Sequence, residues 1–326
     1  MKSVKLPYIV LYVVIAAICM MVPSMASSYI LRVLNIAMIT YLCVLSVYVL
    51  LGMCGQNSFA QAGLWGVGAY MSANVIKNLG GSTITGFVVS VLGTALIAFL
   101  LGLAFFRLRM YYFTFASVGL MTILSGLFMN WTTVTGGALG ISNIPTFSLF
   151  GLKAGTETSK YFIILMVCVV VTYLMRVLFK SALGRSFMAI RDNEMAANCL
   201  GINSLVTKSI AFAISGALCG AAGALYASLT GYLSYQSFTY QQSTMYLIMI
   251  MLGGTASPVG AIIGTLSISL LQEWVRPLQN YMLLIYGAGI MILMIVQPEG
   301  ILGGGRQLYE KYRKRKETRA AADQRS

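Results

Sequence analysis

Apolar runs of roughly 20 residues, separated by short polar or basic stretches, recur along nearly the whole chain. At ~1.5 Å of rise per residue, a helix of that length crosses the ~30 Å hydrocarbon layer of a bilayer. Within that layer every backbone N–H and C=O must find its partner inside the protein, which leaves helices and closed barrels as spanning structures. A barrel would be written in ~10-residue segments of alternating polarity, and no such pattern is present. The expected fold class is all-α, a polytopic helical membrane protein. Of 326 residues, 58% are hydrophobic and only 9% charged, too few charges to clothe a soluble surface of this size.

About ten hydrophobic segments are expected, at 8–26, 31–52, 58–76, 84–106, 111–131, 161–179, 209–230, 240–252, 259–271 and 281–296. The first follows Lys2 and Lys5 and ends in small residues at Ser24-Met25-Ala26, in the manner of a signal peptide; with so many spans behind it, an uncleaved helix is expected. The third carries Gly63, Gly66 and Gly68 with polar Gln61 and Asn74. Such a helix either packs closely or lines a cavity. The eighth and ninth are short and joined by "GGTASPVG", which fits two tilted spans or a re-entrant hairpin.

The basic residues fix an orientation. Lys2 and Lys5, then Arg107 and Arg109 four spans later, then Arg176, Lys180, Arg185 and Arg191 after two more, then the tail from Arg306 to Arg325, all fall on one side. By the positive-inside rule that side is cytoplasmic, and so are both termini. The net charge of +14 therefore points to a lipid bilayer as partner and not to nucleic acid. The expected location is the bacterial cytoplasmic (inner) membrane, multi-pass. Residues 132–160 become a long outside loop, turn-rich through its glycines and Pro145.

Several function classes fall away. There is no histidine, and no Asp or Glu precedes Glu157, so a proton-coupled carrier has no intramembrane group to load and unload. No phosphate-cradling glycine–lysine loop is present. The six cysteines show no paired spacing. No catalytic residue, metal site or cofactor is expected, and the chain is not expected to be an enzyme; energy for uphill transport would enter from a partner. A stand-alone facilitator or ion-coupled carrier is the competing class.

One polar stretch stands out, "GRSFMAIRDNEMAANCLGIN" at 184–203. Asp192 is a candidate N-cap, Glu194 then falls in the first turn, and Gly201 fits the left-handed position past the C-terminus. The expectation is a two-turn helix over 193–200, with Met195, Ala196, Cys199 and Leu200 on one flank and Asn193, Glu194 and Asn198 on another. So short a helix needs support from its own domain or a partner. On these residues alone it is either an ordinary solvated loop or a coupling element.

The same stretch resembles the coupling region of the inner-membrane permeases of ATP-binding-cassette (ABC) importers for branched-chain amino acids, the LivM-like family. The resemblance extends to "VLLGMCGQNSFAQAGLWGVGAY" (49–70), "TGGALGISNIP" (135–145), "AFAISGALCGAAGALYA" (211–227), "LGGTASPVGAIIG" (252–264) and "QPEGILG" (297–303), in order. It implies a permease domain over 1–305, a coupling region at 181–207 and a basic cytoplasmic tail at 306–326. It further implies a second related permease, two cytoplasmic ABC ATPases and an extracytoplasmic substrate-binding protein as partners. Arg185, Arg191, Asp192, Glu194, Ala197 and Gly201 would carry ATPase coupling; Glu194, Ala197 and Gly201 form a loose version of the glutamate–alanine–alanine…glycine motif of related permeases. Gln56, Asn57, Gln61, Thr135, Gly136 and Gly137 are candidates for the translocation path, with interhelical hydrogen bonding as the alternative role for each. The sequence departs from the family pattern where Arg107-Leu108-Arg109 runs into Met110-Tyr111-Tyr112-Phe113 without an acid. Branched-chain amino acids are the expected solute, with urea or another small amide, carried by members of the same family, as the alternative.

Overall fold

The computed structural model describes residues 27–275, apart from 109, 150, 151, 154 and 256, together with single positions 23 and 287. The first and tenth expected segments, Arg109, the 297–303 motif and the basic tail lie outside the described residues. The eight expected segments that fall inside them are all helical.

In chain order these are α1 (Ser28–Val47), which continues as a π-helical stretch (Tyr48–Met53), α2 (Gln61–Asn78), α3 (Thr83–Phe105) and α4 (Met110–Asn130). A four-residue α5 (Thr132–Thr135) precedes α6 (Glu157–Lys180), and α7 (Ala182–Asp192) and α8 (Glu194–Cys199) fill the polar stretch. The 27-residue α9 (Ser204–Thr230) is followed by α10 (Tyr240–Gly253) and α11 (Pro258–Val275). Among the described residues, five helices are long and apolar enough to cross a membrane: Ser28–Met53, Thr83–Phe105, Tyr111–Asn130, Glu157–Lys180 and Ser204–Thr230.

Small residues set the packing. In lipid there is no hydrophobic gain from joining two apolar helices, so close van der Waals fit must hold them. α9 sits between α2 and α3 with its glycines against their backbones. A Cβ on Gly223 would lie 2.4 Å from Ala69 N and 2.5 Å from Trp65 O; one on Gly220 would lie 2.6 Å from Ser90 O. The Ser90 hydroxyl lies 2.8 Å from Gly68 O and 2.7 Å from Gly220 O, bridging all three helices at one level. α2 is too polar to count among the five apolar spans, and it is enclosed by its neighbours, with Gln61 and Ser72 fully buried.

The described residues of the 132–156 stretch form a turn-rich cap, as the glycines and Pro145 suggest. Short strands β1 (Ile141–Ser142), β2 (Ser148–Leu149) and β3 (Leu152–Lys153) form there, with β2 and β3 pairing as a hairpin. β1 pairs antiparallel with β4 (Tyr232–Leu233), Ile141 opposite Leu233, and Ile144 N donates to Gly231 O at 3.1 Å. The cap and the link between α9 and α10 therefore form one surface, at the end of the bundle away from α7 and α8.

The short eighth and ninth segments form a V, bent by 116° between Tyr235–Gly253 and Pro258–Trp274. α10 has 14 residues, so at ~1.5 Å per residue it reaches only ~21 Å. Its last turn lies directly on α11: a Cβ on Gly264 would stand 1.8 Å from Met249 O.

Because its neighbours at Gly223 are backbone atoms, Gly223→Ala is expected to force α2 and α9 apart and cost about 1–3 kcal/mol, the usual range for overpacking. Gly119→Ala, with nothing within 4 Å, should be neutral or slightly stabilising. Thermal unfolding of the two variants in the same detergent checks the contrast.

Candidate functional site

The polar stretch begins with a corner that only glycine allows. At the end of α6 the Ser181 hydroxyl donates to Leu178 O at 2.7 Å and accepts from Gly184 N at 3.1 Å. A Cβ on Gly184 would lie 2.2 Å from Leu178 O. The chain then leaves as α7, a separate helix that buries Phe187 and Ile190 against the bundle and turns Arg185 and Asp192 outward. Arg185 folds back to donate to Lys180 O at 3.0 Å.

The expected cap is displaced by one residue. Asp192 closes α7 and receives both Nε and Nη2 of Arg191 at 3.2 Å, while Asn193 takes an extended conformation and caps α8, its Oδ1 accepting from Ala196 N at 3.0 Å. Two helices meet at a single non-helical residue, and the cap must belong to that residue. α8 is six residues, Glu194–Cys199, with Glu194 in its first turn. Gly201 has φ of +84°, the left-handed conformation expected past the helix end, and Ile202 N returns to Ala197 O at 3.1 Å. Asn198 Oδ1 accepts from Ser204 N at 3.3 Å and from the Ser204 hydroxyl, tying α8 to the start of α9.

Two charged contacts fasten this module to the bundle. Arg191 Nη1 donates to Gly52 O at 2.6 Å. Lys208 Nζ donates to Glu194 Oε1 at 2.6 Å, with the lysine side chain 6% exposed and the glutamate 45%. Lys208 was not among the sequence-derived candidates; as the single cation at the foot of α9 it reads there as an ordinary flanking charge. Cys54, just past the last turn of α1, lies close to this pair. Burial pushes its thiol up to about 12, Lys208 works against the rise and Glu194 adds to it. Ala197 faces inward at 2% exposure, whereas Met195 and Leu200 stand out at 75% and 81%. Cys199 beside them is exposed, while Cys43, Cys54, Cys168 and Cys219 are buried.

The path candidates divide between the two ends of α2. Gln56 is buried with its N–H on Leu50 O, and Asn57 is exposed with its carbonyl accepting from Thr114 at 3.2 Å. Gln61 is fully buried, and neither end of its amide has a partner. Thr135 lies near the other end of α2, where its hydroxyl reaches Phe128 O at 2.8 Å and Trp131 O at 2.7 Å. Gly136 and Gly137 there both have positive φ, and Asn74 Nδ2 donates to neighbouring Val134 O at 2.8 Å. Sequence reasoning missed the aromatic cluster between these ends. The Trp65 ring lies 4.7 Å from those of Tyr226 and Phe238 and 6.2 Å from that of Tyr246; Tyr70 and Phe128 complete the group. Trp65 Nε1 and the Tyr70 hydroxyl, like the Gln61 amide, are buried without partners. The i, i+4 spacing of Gln61 and Trp65 was the available signal.

Apolar helices of spanning length packed with a polar, glycine-bearing one are the build of a membrane permease, the class to which the relatives of this chain belong. The chain belongs to the family of branched-chain amino acid transport system permease components, whose profile matches residues 29–296. It is 30% identical over 303 residues to the high-affinity branched-chain amino acid transport system permease protein LivM of Salmonella typhimurium, covering 86% of this chain and 71% of the relative; LivM of Escherichia coli K12 matches to the same extent. The autoinducer 2 import system permease protein LsrC of Escherichia coli O9:H4 is 26% identical over 157 residues, 46% of this chain and 44% of that one. No solved structure matches the chain significantly.

Glu194→Gln is expected to destabilise the protein more than Lys208→Met. The first strands a buried ammonium, whereas Met fills the same space without charge. Removing one partner of a fully buried pair costs roughly 3–5 kcal/mol; with Glu194 half-exposed, about 1–3 kcal/mol is expected. Melting of both variants in detergent checks the order.

Proposed function

We propose that this chain is the permease subunit of an ABC importer that moves branched-chain amino acids, forming half of the translocation path beside a second, related permease. Two cytoplasmic ATPases and an extracytoplasmic substrate-binding protein complete the assembly. Residues 1–305 constitute the permease domain and 306–326 a basic cytoplasmic tail; both termini are cytoplasmic, and 132–160 faces outward. The LivM relatives, which are branched-chain amino acid permeases, support that choice of solute.

The observation that carries the docking role is the exposure of Met195 and Leu200 on a helix otherwise clamped to the bundle. A six-residue helix has no stability of its own. This one is capped by Asn193, stopped at Gly201 and pinned through Glu194, yet it spends that support on holding two large apolar side chains in the open. Such a patch fits a groove on a partner chain. Ala197 gives α8 its close seat on the bundle, and Arg185 and Asp192 hold the flanking chain. Gln61 and the aromatic cluster suit a passage for a solute with an apolar side chain, with Gln56 and Asn57 at the inner mouth and Thr135, Gly136 and Gly137 at the outer.

Cys199 is a native reporter of this surface. In inside-out vesicles a membrane-impermeant maleimide is expected to label it, with Cys199→Ser as the control, and bound ATPase subunits are expected to slow the labelling. Labelling only from the opposite face, or at a rate unaffected by the ATPases, would place the docking surface elsewhere. Uptake by the full assembly in proteoliposomes, over leucine, isoleucine, valine and urea, identifies the solute.

A further inference from the structure

Resting on that docking role, we infer that Arg191 is not a docking residue but the strut that carries movement of the 181–203 module to the inner end of α1 and to the tip of the V. Its side chain faces the bundle. Nη1 donates to Gly52 O, while Asp192 holds Nε and Nη2 and so fixes the plane of the guanidinium. Its aliphatic stem lies on Gly55, which has φ of +70° and where a Cβ would stand 2.8 Å from Arg191 Cγ.

Gly52 is where two connections meet. It lies in the π-helical turn Tyr48–Met53, a wider winding that is rare and concentrates at functional positions. Carbonyls in the last turn of a helix lack intrahelical partners and carry the negative end of its dipole, so a cation there is doubly favoured. The same glycine touches the link between α10 and α11: a Cβ on it would lie 2.7 Å from Thr255 O and 2.6 Å from the Tyr48 ring. One residue of α1 is thus gripped by the module on one side and by the V on the other, with no side chain between to absorb a displacement.

The Lys208–Glu194 pair fastens the module separately, to α9. Loss of Arg191 should therefore leave the module attached and able to dock, but cut off from α1 and the V. The test is full reconstitution with ATPases and binding protein, reading ATPase co-purification, Cys199 protection, ATP hydrolysis and solute taken up per ATP. For Arg191→Met, binding, protection and hydrolysis are expected to persist while uptake per ATP falls about tenfold, the scale of one charge-assisted hydrogen bond. Arg191→Lys should recover part of it, since an ammonium also donates to a carbonyl. Gly52→Ala should reproduce the loss with Arg191 intact, because its methyl meets Thr255 O; it carries the test if Arg191→Met fails to insert. Unchanged uptake per ATP in Arg191→Met or Gly52→Ala overturns the strut, as does loss of ATPase binding in Arg191→Met, which would make Arg191 a docking residue. Absence of ATPase binding to the unaltered chain overturns the docking role itself.

Discussion

The contact of backbone on backbone along α9 is the constraint from which the rest follows. Apolar surface gains nothing by leaving lipid for a neighbouring helix of equal polarity, so side chains had to shrink until main chains touched. Gly223 against Ala69 N and Trp65 O, and Gly220 against Ser90 O, are such contacts. Once α2 is held this closely it is shut away from lipid, and only then can it carry Gln61, Ser72 and Asn74 through the bundle. The polar interior is a result of the packing of small residues around it.

The module at 181–203 obeys a different rule. Helices of eleven and six residues in a polar stretch bury only a few apolar side chains, Phe187, Ile190 and Ala197, and discrete polar contacts complete their placement: the Ser181 corner, the Asn193 cap, Glu194 on Lys208, and Arg191 on Gly52. Each is directional and distance-specific. A body built from broad van der Waals contact and an appendage built from a few point contacts divide the molecule into a part that resists deformation and a part that can be displaced as a unit.

Much of the fold is written locally and could be read. Span positions follow from the length and hydropathy of each run, and the helix at 194–199 from an acid, a glycine and the residues between. The displaced cap shows where local reading stops. Asp192 and Asn193 are both good capping residues, and the choice depends on α7 continuing to Asp192, which its burial of Phe187 and Ile190 decides. The contacts that matter most for the candidate site are non-local. Gly52 and Arg191 are 139 positions apart, and neither announces the other. Lys208 looks like any flanking lysine until its burial is known. In the sequence the path candidates stand out by polarity or by place, Gln56, Asn57 and Gln61 near the third segment and Thr135, Gly136 and Gly137 past the fifth, and the bundle sorts them: Gln61 lies buried and unpartnered, whereas the Thr135 hydroxyl is fully occupied by its own loop.

The two-residue ladder between β1 and β4 has a consequence of its own. With Ile144 N on Gly231 O and the Tyr232 hydroxyl on Leu139 O, it stitches the 132–156 cap to the chain leaving α9, and each hydrogen bond in such a stitch is worth only about 1 kcal/mol net. Further along α9, at Gly220 and Gly223, backbone packs on backbone of α2 and α3. Stiffness is therefore greatest in the packed middle of the bundle, between the pinned module at one end and the stitched cap at the other. A rigid middle of that kind would carry a displacement between two ends that each hold by a few directional bonds.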